Sequence, residues 1–463
     1  MPGLFQGLEI GKRALLTHQY TLQTIGHNIA NVNTPGFTRQ RVNISSTLPE
    51  YNTVGTVGSG VKVADIRQIR DLFLGEQYRQ ESKSLGQWTY KEKVISQIES
   101  LFGEPGDNTL SELLNGFWNA WSDLATTNSV STREALVGKT ELLTNGFHQL
   151  ANQLQALRSS IDGDLANFTG EINRLSGEIG RINDLIKSQE LGNVRANDLR
   201  DARDLVIDEL AEIVDINTVE QPNGSTTVYI GAMIIVDGGD VLPVATETET
   251  INGVVTNKLV WQGTEIELTN INGQLKGLVD SRDNVIPGYL DDLNEISASL
   301  IREVNALHTA GFGLDGSVGV NFFDNEFVDA THISVNREIT DNPSRIVASA
   351  SGEVGDNTLA LAIHDLRTSQ VMNNNSITIN DFYNSLVGKL GVESSEAKSF
   401  KSNYELLVGQ IDNARQSVQG VSLDEEMANL VKFQHAYDAA ARVITTMDEA
   451  LDTVIYNLGV VGR

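Results

Sequence analysis

The segment at residues 28–40 reads NIANVNTPGFTRQ and directly follows an amphipathic stretch of sequence. In that stretch every seventh residue from Leu8 to Ile29 is Leu or Ile, which is the spacing of a coiled-coil seam. Glycines inside the stretch weaken a helix, and Pro35 with Gly36 ends it. The pattern predicts an N-terminal helix that is marginal alone, needs a partner and turns sharply at its end.

A second amphipathic stretch follows the sequence GVSLDEE at residues 420–426 and runs to the end of the chain. Its apolar side chains recur at a spacing of three or four residues: Leu423, Met427, Leu430, Tyr437, Ala441, Ile444, Leu451, Ile455 and Leu458. Two imperfect helical ends of this kind are expected to pack together and then against neighbouring subunits. The sequence therefore suggests a subunit that polymerises.

The apolar positions of both ends include our candidate subunit contacts. These candidates are Leu8, Leu15, Leu22, Ile25, Leu430, Tyr437, Ile444 and Leu451. The alternative for each position is a contact inside the subunit, and the sequence does not separate the two.

Composition excludes several classes of protein. The formal net charge of −27 over 463 residues argues against a nucleic-acid surface, which needs clustered Lys and Arg. Without cysteine, the chain can form no disulfide or thiolate metal site. No run reaches the ~18 apolar residues of a membrane helix, so we expect no membrane insertion. The first residues lack the apolar core of a cleavable signal peptide.

The fold class predicted from periodicity is mainly α with a β insert. A strict seven-residue repeat begins at Phe147 and predicts one long helix over residues 131–189, followed by helices at 197–214, 289–309, 382–390 and 398–418. Short β runs separated by Asn-Gly and Gly-Gly turns fill residues 217–276, and a further one is expected at 331–335.

The domain organisation follows from this pattern. We predict an axial coiled-coil domain from residues 1–50 with 421–463, and a helical-bundle rod domain from residues 51–214 with 277–420. A small β-rich domain, residues 215–276, is inserted into the rod and lies outermost.

Five residues of the segment at 28–40 form an axial motif with distinct expected roles: Asn28, Asn31, Thr34, Gly36 and Arg39. The Asn amides can cap a helix end and tolerate unusual backbone angles. Gly36, after Pro35, turns the chain out of the helix, and Arg39 can pair with a carboxylate on the returning helix or on a neighbour. The alternative is that the motif merely ends a helix.

Both motifs resemble the ends of the bacterial flagellar axial proteins, the family of rod, hook and hook-associated subunits. The ending PGFTRQ is most similar to the hook-associated members, and FQHAY and AAARVI at residues 433–444 match their other end. The resemblance covers about the first and last 45 residues. It implies paired terminal helices in an inner axial domain, a helical rod outside it and a β-rich outer part.

Function and partners are implied by the resemblance alone. It implies a structural, non-enzymatic subunit of the flagellum that polymerises as an adaptor between hook and filament. The expected partners are the hook protein, the second hook–filament junction protein, further copies in a ring, and an export chaperone bound within residues 421–463. It also implies export, unfolded, by the flagellar type III system to the outside of the cell.

Two alternatives stay open at this point. The chain could be another axial subunit, such as a hook or distal rod protein, which the ending TRQ and the long proline-free midsection disfavour. It could instead be a secreted adhesin or enzyme anchored by flagellar-type ends, for which no motif speaks. Gly138-Lys139-Thr140 lacks the glycine that a phosphate loop needs at 133, and Asp237–Asp240 suits a hairpin turn better than a Ca²⁺ loop. We expect no cofactor and no metal.

Overall fold

The computed structural model describes residues 2–52, 55–104, 106, 109–192, 194–251, 254–269, 271–353 and 355–457. Leu458 and the Asn252-Gly253 turn therefore lie outside the described residues. The fold is mainly helical with small sheets, as predicted. Most of its buried apolar side chains form one continuous core between Tyr90 and Ala397, whereas Ile25, Val42 and Ala440 are buried outside it.

The α-helices are α1 (Pro2–Ala30), α2 (Leu72–Phe102), α3 (Leu110–Thr126), α4 (Val130–Gln189), α5 (Asn197–Ile213), α6 (Gln274–Asp280), α7 (Ile286–His308), α8 (Arg337–Asp341), α9 (Thr358–Asp365), α10 (Ile379–Gln419) and α11 (Leu423–Asp452). A π-helical turn, Ser281–Val285, joins α6 to α7, a second one, Thr453–Asn457, follows α11, and Pro343–Arg345 forms a 3₁₀ turn.

The strands are β1 (Gln40–Ser46), β2 (Glu50–Asn52), β3 (Gly55–Val57), β4 (Val61–Gln68), β5 (Ile216–Glu220), β6 (Thr226–Ile230), β7 (Met233–Asp237), β8 (Asp240–Val241), β9 (Val244–Ile251), β10 (Val254–Trp261), β11 (Phe312–Gly313) and β12 (Val347–Ser349). They form one four-stranded antiparallel sheet, β5 to β8, and two-stranded pairs β1–β4, β2–β3, β9–β10 and β11–β12.

The 60-residue helix α4 is the backbone of the rod and confirms the long helix predicted over residues 131–189. It begins at a capping box in which Ser129 and Thr132 each accept a hydrogen bond from the other's backbone N–H. At a rise of about 1.5 Å per residue it spans about 90 Å. Its buried side chains include the predicted seven-residue series except Phe168, which is half-buried. Burial against α3, α5 and the sheets therefore stabilises its length.

Helix α10 corrects the prediction of two separate helices at 382–390 and 398–418, because it is continuous from Ile379 to Gln419. It packs along α2, where Trp88 and Phe400 stack with ring centroids 4.4 Å apart. The helices α2 and α3 were not predicted individually. With α4 and α7 they complete the helical rod.

The β region does not form a core of its own but packs on α4. Asn173 of α4 exchanges two hydrogen bonds with the backbone of Val244, and Asn183 bonds Thr226 in the same way. The expected runs at 265–269 and 331–335 form only isolated bridges, through Glu267 and Val335. The insert therefore packs on the rod and shares its hydrophobic core.

An antiparallel ribbon of β1 and β4 was missed by the sequence prediction. It pairs Gln40 with Gln68 and Ser46 with Val61, and the extra residue Ala64 forms a bulge in β4 opposite the step from Asn43 to Ile44. The ribbon therefore crosses residue 50, where periodicity placed the boundary of the first segment.

Candidate functional site: the paired terminal helices and their joint

Helices α1 and α11 pair in an antiparallel arrangement, as the matched ends predicted. A Cβ atom built on Gly11 would lie 2.8 Å from Ile444 Cγ1, and one on Gly7 would lie 2.9 Å from Met447 Cε. The partner numbers fall along α11 as the α1 numbers rise, which fixes the direction. The glycines that weaken α1 as an isolated helix are thus the positions where α11 approaches its backbone most closely.

The predicted contact residues lie on the inner side of this pair. Ile25 is only 5% exposed, and the other seven are half-buried: Leu8, Leu15, Leu22, Leu430, Tyr437, Ile444 and Leu451. Ile444 lies against Gly11 within the subunit. Most of the surface of these side chains is therefore buried within one chain. Only the part that stays exposed is available to neighbouring subunits.

A second set of apolar side chains faces outward, and sequence reasoning did not select it. Its exposed members are Phe5, Leu16, Tyr20, Leu423, Met427, Val431, Ile455 and Tyr456. Leu16 follows the predicted seam residue Leu15 by one position, so a helical wheel drawn for two faces could have found it. The outer face of the pair thus keeps an apolar surface that the subunit itself does not cover.

Asn28 connects three segments at the end of α1. Its Nδ2 donates to the Gln40 carbonyl at 2.9 Å, and its Oδ1 accepts from the Gln40 backbone N–H at 3.0 Å. The same Nδ2 lies 3.3 Å from Glu426 Oε2 on α11. The side chain is 1% exposed, so it acts as a buried substitute for a strand neighbour rather than as a simple helix cap.

Arg39 pairs with carboxylates of the returning helix, one of the two alternatives predicted for it. Its Nε lies 2.6 Å from Glu426 Oε1, and its Nη2 lies 2.8 Å from Glu425 Oε1. Glu426 is only 2% exposed. Hydrogen bonding to Arg39 lowers the pKa of the Glu425 carboxyl. The backbone N–H of Arg39 also donates to the Gln419 carbonyl at 2.8 Å, which ties the motif to the end of α10.

Asn31, Thr34 and Gly36 shape the turn between α1 and β1. Asn31 donates through Nδ2 to the His27 carbonyl at 3.0 Å, and the Thr34 hydroxyl donates to Asn31 Oδ1 at 3.1 Å. Gly36 has a φ of 76°, and a Cβ there would meet Leu205 of α5. The predicted turn therefore needs glycine at position 36, because φ is positive there. The turn packs against α5 of the rod.

The acidic N-terminal half of α5 holds the motif on the rod. Asp201 accepts the Thr38 backbone N–H at 2.9 Å and the Gln68 side-chain amide at 2.6 Å. Asp198 accepts the Gln40 amide at 2.7 Å. Burial raises the pKa of Asp201 to about 6. We define the joint as the contacts of Thr38, Gln40 and Gln68 with α5; no sequence signal singled out these carboxylates.

The described residues hold no group of three or more His, Asp or Glu side chains that could bind a metal ion. Gly138-Lys139-Thr140 lies inside α4, and Asp237–Asp240 forms the β7–β8 turn. Within the same described parts of the chain, no helix is both long enough and apolar enough to cross a bilayer.

The sequence and the fold of this chain are similar to those of known flagellar proteins. Family models match three parts of the chain: the flagella basal body rod protein at residues 8–38, the helical domain of the flagellar hook-associated protein FlgK at 95–323, and the C-terminal region of the basal body rod proteins FlgEFG at 415–458. The flagellar hook-associated protein 1 of Bacillus subtilis is 32% identical, with full coverage of both chains.

The chain belongs to the hook-associated protein 1 family. Further relatives in this family, from Escherichia coli and Salmonella typhimurium, are each 23% identical, over 94% of this chain and 97% of theirs. The hook junction protein FlgK of Burkholderia pseudomallei has a similar fold, with a TM-score of 0.64 at 15% identity, covering 74% of this chain and 100% of that one.

Membership in the hook-associated protein 1 family makes the chain a structural subunit of the flagellum at the hook–filament junction. The terminal models are shared with rod proteins, whereas the model over residues 95–323 is that of the hook-associated family. The middle of the chain therefore decides against a hook or rod subunit, the alternative that the ends alone left open.

Proposed function

We propose that the chain polymerises through the α1–α11 pair as an adaptor, contacting the hook protein on one side and the second hook–filament junction protein on the other. Copies contact one another in a ring around the axis. The chain leaves the cell unfolded through the flagellar type III apparatus, escorted by a chaperone bound within residues 421–463, and works outside the cell. It catalyses no reaction.

The observation that carries this proposal is the apolar outer face of the α1–α11 pair. Met427 is 51% exposed and Tyr456 is 71% exposed, although the chain has a net charge of −27 and a large covered core. Apolar side chains of this size on a paired helix are typical of a surface that another protein covers. The half-buried seam residues Leu15, Leu22 and Tyr437 add their uncovered edges to it.

Deletion of residues 421–463 tests the role of the pair. Because the rod core does not include α11, the truncated chain is expected to keep its helical circular dichroism and a cooperative thermal transition. The partner of α1 is lost, so cells that carry only this chain should be non-motile and lack filaments. Normal filaments on those cells would contradict the proposal.

A single substitution tests the outer face without removing a helix. Val431→Asp places a charge on the apolar outer face of α11 and should abolish filament formation in cells that lack the native gene product. Val392→Asp is the matched control, since Val392 is exposed on α10 of the rod, and it should leave filaments unchanged. If Val431→Asp cells swim as well as the control, the outer face is not the assembly surface.

A further inference from the structure

The α1–α11 pair and the rod share no hydrophobic core. Every member of the continuous core lies between Tyr90 and Ala397, and within the described parts of the chain no side chain of α1, of the β1–β4 ribbon or of α11 belongs to it. The apolar side chains buried on the terminal side are Ile25, Val42 and Ala440. Two bodies that meet without a large apolar interface are expected to move relative to each other.

Two short segments of backbone connect the bodies. Residues 69–71 lead from β4 to α2, and residues 420–422 lead from α10 to α11. The hydrogen bond from the Arg39 N–H to the Gln419 carbonyl lies beside the second segment. Hinges usually consist of a few residues of this kind, at the ends of regular elements, which absorb a change in φ and ψ. Both connections therefore have the form of a hinge.

The contacts that set the angle between the bodies converge on one face of α5. Asp198, Asp201 and Asp204 follow one another at a spacing of three residues, so they lie along the same side of the helix. Asp198 and Asp201 accept the hydrogen bonds of the joint, and Asp204 pairs with Arg70 of the first connecting segment. We define these three carboxylates as the latch. Polar contacts of this kind can be exchanged for contacts with water at a small net cost in free energy.

An open groove lies beside the latch, between the two bodies. It has a volume of about 540 Å³ and is lined by Tyr20 of α1 and Val63 of β4 together with Val194 and Leu199 of the rod, and Asp198 of the latch lies in its wall. Tyr20 is 52% exposed and Val194 is 66% exposed. Movement of the pair toward the α4–α5 connection would close this groove and remove apolar surface from water. Both the space and a driving force for a second orientation are therefore present.

We propose that the α1–α11 pair is a hinged arm, which the latch holds at the angle of this structure and which swings to close the groove when the latch opens. The pair and the rod each move as a rigid body, and the two connecting segments bend. A subunit built in this way can keep one packing of its terminal helices while its rod adjusts to neighbours of different shape. This inference adds a conformational device to the proposed polymerisation and does not rest on it.

Double electron–electron resonance on the full-length chain measures this movement. The chain contains no cysteine, so introduced cysteines carry spin labels at the chosen sites alone. Gln23→Cys with Ser188→Cys reports the distance between the two bodies across the groove. Gln23→Cys with Gln434→Cys reports a distance inside the α1–α11 pair, and Gln155→Cys with Ser188→Cys reports one of about 50 Å along α4. All four sites are exposed on helices.

Asp198→Ala with Asp201→Ala opens the latch in each labelled chain. The distribution of distances between the bodies should become at least twofold wider and gain a shorter distance, because the groove closes in part of the molecules. The distributions inside the pair and along α4 should stay narrow. Asp123→Ala with Asp291→Ala, which removes two exposed carboxylates from α3 and α7, is the matched control and should change none of the three distributions.

The remaining outcomes overturn the inference. An unchanged distance between the bodies in the latch variant would show that the carboxylates do not set the angle, and a native chain that is already as broad would show that no latch exists. A broad distribution inside the pair would mean that the arm is not rigid. If the α4 distance also broadens, Gln40→Ala with Gln68→Ala decides in the same way, since it opens the joint from the ribbon and leaves α5 unchanged. None of these measurements involves assembly, so the proposed polymerisation fails only in the filament assays.

Discussion

The Asn28 side-chain amide and the Gln40 backbone exchange two hydrogen bonds, of 2.9 and 3.0 Å, across the turn that ends α1. The amide reproduces the pairing that a neighbouring strand would give to Gln40, and it does so in a position that solvent does not reach. The direction in which β1 leaves α1 is therefore set by one side chain, and the same side chain contacts Glu426 of the returning helix.

We predict that Asn28→Asp lowers the free energy of unfolding by about 2–4 kcal/mol, because the change removes a buried donor and places a carboxylate beside Glu426. Urea denaturation measures the loss, and hydrogen exchange should locate it at α1 and β1. Asn33→Asp is the matched control, since Asn33 is exposed. Equal losses for the two variants would mean that the Asn28 contacts are not decisive.

Gly11 gives a second prediction. Gly11→Ala should lower the free energy of unfolding by about 1–3 kcal/mol, because the added methyl group would overlap Ile444 Cγ1 and push the helices apart. Gly26→Ala in the same helix meets no atom within 4 Å and should raise it by about 1 kcal/mol through helix propensity. Thermal denaturation of both variants checks the difference. A stabilised Gly11→Ala variant would show that α11 does not approach α1 closely.

The joint predicts a pH dependence through Asp201. Burial raises its pKa to about 6 from an ordinary value of 3.8, so the folded chain binds a proton more readily than the unfolded one. The resulting stabilisation is fully present below about pH 4 and is lost as the pH rises through 6, to an extent of roughly 3 kcal/mol.

Asp201→Asn removes this titration. The stability advantage of the wild type over the variant should therefore grow as the pH falls from 7 to 4 in urea denaturation. Asp123→Asn, which changes an exposed carboxylate on α3, is the control. If the stability difference between the wild type and Asp201→Asn does not change with pH, the pKa of the Asp201 carboxyl in the wild type is not raised.

The buried side chain of His308 predicts that stability changes with pH in the opposite direction. Its Nδ1 donates to the Val320 carbonyl at 2.6 Å, and its Nε2 accepts the Val347 N–H at 2.9 Å. Burial lowers its pKa to about 4 from 6.5. Stability is therefore present above pH 6.5 and is lost as the pH falls through 4, by roughly 3 kcal/mol.

In His308→Gln this loss should be absent, so the stability difference from the wild type shrinks between pH 6.5 and 4. His435→Gln is the control, because His435 is exposed. If both variants keep a constant difference from the wild type, the imidazole of His308 is not held neutral. The contributions of Asp201 and His308 to the free energy of unfolding change with pH in opposite directions. Their effects on the wild type therefore partly cancel between pH 6.5 and 4, and the two variants measure each contribution separately.

Much of the architecture could be predicted from the sequence, because it rests on local periodicity. The repeat from Phe147 predicted α4, and the turn chemistry of Pro35 and Gly36 predicted the exit from α1. The pairing of Arg39 with a carboxylate on the returning helix was also among the predicted alternatives, and Glu425 with Glu426 confirms it.

What could not be predicted depends on contacts between distant segments. The role of Asn28 requires the ribbon to fold back onto α1, and the ribbon was missed because a bulge at Ala64 interrupts the alternation of β4. The carboxylates of Asp198 and Asp201 resemble any others on an acidic helix. Only the folded chain shows that they accept hydrogen bonds from the motif.

The pairing of the first helix with the last has a consequence for quality control. Asn28 and Glu426 are separated by 398 positions, so a chain that emerges from one end cannot close this pair until its last helix is free. A broken or unfinished chain that lacks one terminal helix would present only half of the surface of the α1–α11 pair. On the proposed polymerisation through the α1–α11 pair, a chain that lacks either terminal helix is not incorporated.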